Sequence, residues 1–163
     1  MNGKKSVKEP TVEYYEKVGG GNFVKSLIIT LTLVFGAIGL VSWNNVSPLF
    51  AVVITFTWIS TVSIMYAIFG NLMITITSNE LVVAFRFFNQ KRFVLSDIEL
   101  CEQTRTNVKK YYGAGIRYGT DGSLAYSTSF GSAVRITKVG ERPFVFSTNN
   151  PETVCQIIST KNR

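Results

Sequence analysis

The sequence predicts a chain in two parts: a hairpin of membrane-spanning α-helices, then a mostly β, α+β domain of about seven antiparallel strands with a C-terminal helix. Three observations lead there. Charged residues make up only 17% of the chain, against roughly 25% in ordinary soluble domains, so charge must be unevenly spread. Residues 26–70 contain no Asp, Glu, Lys or Arg, whereas Lys4, Lys5, Lys8, Lys17 and Lys25 all precede them. Past Gly70 the pattern changes to short alternating runs broken by Gly, Asn and Asp turns, as in half-buried strands.

These shifts divide the chain into an N-terminal tail (1–22), a two-helix hairpin (23–69) and a β domain (70–163). The runs Phe23–Trp43 and Pro48–Phe69 are apolar on all sides, and each approaches the ~20 residues needed to span a hydrocarbon core. Their Thr and Ser hydroxyls can bond back to their own helix, which makes them tolerable in lipid. The short connector Asn44–Ser47, with Pro48 suited to a first helical turn, makes the pair antiparallel. That connector has no Lys or Arg, while the tail is lysine-rich and Arg86, Lys91 and Arg92 follow the second helix. By the positive-inside rule both termini are expected in the cytoplasm, as a multi-pass protein of the cell membrane.

Within the β domain, Leu72–Thr77 and Leu81–Phe87 read as a hairpin, followed by strands at Arg92–Leu95 and Glu99–Thr104. Thr106–Gly115 is polar and basic without buried periodicity and reads as a long loop. Further strands are expected at Gly115–Tyr118, Leu124–Thr128, Ala133–Lys138 and Pro143–Ser147. Asn149 or Asn150 can then cap a helix that starts at Pro151 and shows Val154, Ile157 and Ile158 on one face. The Gly115-Ile116-Arg117-Tyr118-Gly119 segment, Ala133-Val134-Arg135-Ile136 and the run Arg142-Pro143-Phe144-Val145-Phe146-Ser147-Thr148-Asn149-Asn150-Pro151-Glu152 resemble the bacterial pleckstrin-homology-like (PH-like) family found behind paired membrane helices. The resemblance spans about residues 70–160 and implies a curled sheet closed by one helix, serving as a binding or scaffolding module without catalytic residues.

The residues themselves also point away from catalysis. There is no histidine, which removes the commonest general base and metal ligand. Cys101 and Cys155 have no CxxC spacing and read as unpaired thiols, Cys155 as a small core residue on the terminal helix. Glu99 and Glu102 cannot share a strand face, and Gly19-Gly20-Gly21 lacks the Lys-Ser/Thr of a phosphate loop. No catalytic, cofactor or metal residues are therefore expected. The local concentration of positive charge is Arg105, Lys109 and Lys110, with Tyr111 and Tyr112 beside it. It is the candidate contact site, although the cluster falls short of the 4–8 basic residues that mark lipid binding, so a solvated loop is the simpler account.

The functional expectation is a membrane-anchored interaction or scaffolding module that binds a protein partner, or a second copy of itself, within a membrane assembly. Peripheral binding of anionic lipid is a second expectation, and an accessory subunit of a transporter or channel a third. Nucleic acid is disfavoured because no dense basic stripe with exposed aromatics is present.

Overall fold

Alternation of buried and half-buried side chains builds the first sheet. In β2 (Asn71–Thr77), Leu72, Ile74 and Ile76 are fully buried while Met73, Thr75 and Thr77 between them are half-buried, the period-2 pattern of a strand with one face on a core. Its partner β3 (Glu80–Phe85) repeats this with Leu81, Val83 and Phe85. β4 (Phe88–Val94) follows on the outer side of β3, and β1 (Val12–Gly19) pairs with the other side of β2, so the antiparallel order is β1-β2-β3-β4.

A 3₁₀ turn at Leu95–Asp97 leads to the second sheet. It comprises β5 (Ile98–Thr106), β6 (Gly115–Tyr118), β7 (Leu124–Ser127), β8 (Gly131–Lys138) and β9 (Phe144–Ser147), in the order β5-β8-β9-β7-β6. Neighbours are antiparallel except β7 and β9, which run parallel. Between the sheets, Phe144 lies 5.0 Å from Phe93, 4.9 Å from Tyr126 and 5.9 Å from Phe146, ring centroid to centroid. Such tilted and edge-on pairs add to the area that these rings bury. The terminal helix α4 (Pro151–Lys161) covers this core with Val154 and Ile158.

This computed structural model describes residues 11–20, 22–42, 47–85 and 88–161. Helices α1 (Asn22–Ser42) and α2 (Pro48–Phe69) occupy the two apolar runs; α2 opens with a Ser47 cap and Pro48 in its first turn, and Phe35 stacks on Trp58 at 4.0 Å between the two helices. The membrane-spanning reading of this pair is corrected, however. Among the described residues no helix is long and apolar enough to cross a membrane. With the spans go the multi-pass cell-membrane location, the cytoplasmic placement inferred from them and the two-span membrane partnership. The connector residues 43–46 and Arg86 lie outside the described residues.

The expected fold class is corrected too. In place of a membrane hairpin followed by about seven antiparallel strands, the described chain is a β-rich fold of two sheets, with four and five strands, and four helices. Two differences matter for the site. The segment read as a tail contributes β1, and the loop at 106–115 contains a short helix, α3 (Val108–Tyr111).

The cysteines also differ from their reading as free thiols: Cys101 on β5 and Cys155 on α4 form a disulfide, with Cα atoms 5.5 Å apart, inside the range a disulfide can bridge. A second tie to α4 comes from β1. The Glu16 carboxylate, only 8% exposed, accepts from the Tyr14 hydroxyl (2.8 Å), the Thr148 hydroxyl (2.5 Å) and the Asn149 amide (2.7 Å). Burial first, and then the adjacent carboxylate, raise the Tyr14 phenol above its ordinary value against an opposing bond from Asn150, so it remains a donor at neutral pH. At the far end of α4, Lys161 reaches Glu13 at 2.6 Å.

Candidate functional site

The five residues singled out from the basic loop do not act alike. Asn107 caps α3 by accepting from the Lys110 amide at 2.8 Å, a short-range bond typical of an Asn N-cap. The turn then reverses through Tyr112, at φ 54°, and Gly113. This geometry sends neighbouring tyrosines in opposite directions: Tyr111 is 1% exposed and Tyr112 is 74% exposed. Tyr111 is therefore a core residue, while Lys109 and Arg105 stay on the surface.

Lys110 is committed to an acidic partner that the sequence reading missed. Its Nζ lies 2.9 Å from Asp121 Oδ2, which Arg135 also reaches at 3.0 Å. The other carboxylate oxygen accepts from the Ser123 hydroxyl at 2.6 Å and the Ser123 amide at 3.2 Å. Because the single Ser123 proton is spent on Asp121, Tyr111 must donate its own across the 3.0 Å contact to Ser123 Oγ. Burial alone would raise the Asp121 pKa, but the Ser123 hydroxyl and the Lys110 ammonium more than offset it and hold the carboxyl well below the usual range. The same bond to Asp121 raises Lys110. Gly119 completes the knot, since a Cβ there would come within 2.6 Å of Asp121 Oδ1 and 2.7 Å of the Tyr111 ring.

With Asp121 neutralised by two cations, the surface beside it is positive. Residues 103–120 carry Arg105, Lys109, Lys110 and Arg117 and no carboxylate. Arg117 and Tyr118 are exposed on β6, Tyr118 at 63%, and Arg142 extends its guanidinium over the Tyr118 ring at 5.7 Å, within cation–π range. The acid-free run was visible in the sequence and could have drawn in Arg117 and Tyr118. Arg142 could not be found that way, because it arrives from the turn before β9.

β6 is also a sheet edge, hydrogen-bonded among the described strands to β7 alone. Gly119 donates to the Ser123 carbonyl, whereas Leu124 donates away from β6 to the Pro143 carbonyl. In an antiparallel ladder, bonded and non-bonded pairs alternate. Arg117 and Gly115 therefore bond to β7, and the backbone N–H and C=O of Ile116 and Tyr118 face outward.

No family model matches this chain, and no curated protein or solved structure matches it. The resemblance to the PH-like family is accordingly corrected: it has no family-level match behind it, and the two-helix membrane anchor that came with it is not supported.

Proposed function

We propose that the chain is a non-catalytic protein-interaction module that meets its partner along β6 and the adjoining α3 turn. The carrying observation is the basic group Lys109, Arg117 and Arg142 set among the exposed Tyr112 and Tyr118 on α3, β6 and the turn before β9. Arg and Tyr suit such contacts because each offers a large flat surface together with a hydrogen-bonding group. The formal net charge of +7 adds long-range attraction for an acidic partner. A disulfide persists where the redox poise is oxidising, so the Cys101–Cys155 bridge supports a partner met in such a compartment.

The test is quantitative affinity capture with the full chain and with a variant carrying Lys109→Glu, Arg117→Glu and Arg142→Glu. The reading expects a partner that the variant loses and that a control with Lys91→Glu and Arg92→Glu keeps. Equal capture by both variants would remove this surface from consideration.

A further inference from the structure

Among the described strands four sheet edges are available, and they differ. β5 is covered on one side by α4, which the disulfide holds in place. β1 has a register break between Val12 and Tyr14 and mixed charge from Glu13, Glu16 and Lys17. β4 has a register break opposite Ala84 and Phe85 and places Asn89 at φ 49°; irregularities of this kind discourage pairing along an edge. β6 has no such break: its register with β7 runs regularly from Gly115↔Ser127 to Tyr118↔Leu124, and the α3 turn meets its outer edge just past that end, where the Thr120 amide donates to the Lys110 carbonyl at 3.2 Å.

From this we infer that the partner contributes an extended acidic segment that adds to β6 as a further strand, a reading that rests on the interaction surface proposed above. The outward N–H and C=O groups of Ile116 and Tyr118 sit two residues apart, the spacing at which an added strand exchanges hydrogen bonds. Main-chain bonding supplies affinity in this mode and the flanking side chains supply selectivity. Here the flanking groups are Arg117, Arg142 and Lys109, with Tyr118 and Tyr112 as flat apolar contacts. Each of these cations lacks a described ion-pair partner, whereas Lys110 and Arg135 are occupied by Asp121. An acidic side chain at alternate positions of the incoming strand would meet the unoccupied ones. A basic segment would be repelled.

The experiment uses the full chain and a capped peptide alternating glutamate and valine, with a lysine-valine peptide as its counterpart. Backbone amide exchange is followed residue by residue. Strand addition predicts new protection at Ile116 and Tyr118 with the acidic peptide, and none with the basic one. Tyr118→Pro deletes one outward N–H while leaving the β7 ladder its own bonds, because that N–H faces away from β7. It should weaken acidic-peptide binding roughly tenfold relative to Tyr118→Thr, the equivalent of about 1.4 kcal/mol, because both variants lose the ring and only Thr keeps the backbone donor. Unchanged exchange at Ile116 and Tyr118, or equal binding by the Pro and Thr variants, overturns strand addition. If the charge-reversal variant still loses a captured partner in that case, the broader interaction reading stands without it; if no partner is lost, both fail.

Discussion

Asp121 shows how one side chain can decide the character of a surface. Its carboxylate absorbs Lys110 and Arg135 and anchors Ser123, and through Ser123 it orients the buried Tyr111 hydroxyl. Asp121→Asn keeps the shape and removes the charge, so two charge-assisted contacts become ordinary ones; a loss of about 1–2 kcal/mol is expected in denaturant unfolding. Since the folded carboxyl sits below its ordinary pKa, its stabilising contribution is complete above about pH 4 and is lost as pH falls from there toward the folded value. Acid titration of stability should therefore flatten in the variant over that window, and parallel curves for the two proteins would refute the assignment. The Asp121 knot was not legible in the sequence: Lys110, Asp121 and Arg135 come from α3, a turn and β8, and only the strand order brings them together. Tyr111 and Tyr112 were legible as a pair but not in their opposite fates, which depend on the left-handed backbone at Tyr112.

At the level of elements, α4 is held by a covalent tie to β5 and a polar tie to β1. The bridge encloses a 54-residue separation, and cross-linking a loop of that size restricts the unfolded chain by about 4 kcal/mol in loop-closure terms. Reduction, or Cys101→Ser with Cys155→Ser, should lower stability by an amount approaching that figure, while the wild-type mass should fall short of the fully reduced chain by two hydrogens. A chain that reacts with thiol reagents at both cysteines before any reduction would remove the bridge. Glu16→Ala tests the polar tie: it strips the acceptor from the Tyr14 hydroxyl, Thr148 and Asn149, and about 2–3 kcal/mol should be lost. Separate measurement in the oxidised and reduced protein shows whether the two ties add, as independent contacts would. Strands β2, β3 and β5 to β9 were readable from alternation and turn chemistry, and α4 from its cap and its Val154 and Ile158 face. β1 was not. Its Val-Glu-Tyr-Tyr-Glu-Lys-Val run is charged, and it becomes a strand because β2 offers an unpaired edge and Thr148 and Asn149 satisfy the otherwise costly buried Glu16. Two cysteines 54 residues apart give no pairing signal either, since spacing alone does not say which residues meet.

The molecule as a whole joins surfaces of opposite kind. The β domain presents charged and polar groups around its sheets, whereas α1 and α2 turn Ile29, Leu33, Val53, Phe56 and Ile59 outward. Four of their five threonines are internally satisfied: Thr32, Thr55, Thr57 and Thr61 each donate to the carbonyl four residues earlier, which leaves the helix surface still more apolar than its composition implies. Contiguous apolar surface of this extent is not stable facing water and is covered by something, or it drives self-association. The β domain carries its own core, with the Phe144 ring cluster between the two sheets and α4 packed over it through Val154 and Ile158, so its fold does not depend on how the helices are covered. The full chain in plain aqueous buffer should therefore form polydisperse assemblies, and a mild amphiphile should disperse them while the β-sheet circular dichroism signal stays constant. Replacing Leu33, Val53, Phe56 and Ile59 together by Ser should shift the size distribution toward monomer without altering the unfolding midpoint of the β domain. A native chain that is monodisperse in plain buffer would show that these side chains are covered from within the molecule, and the division into an independent β core and an apolar helical pair would then be wrong.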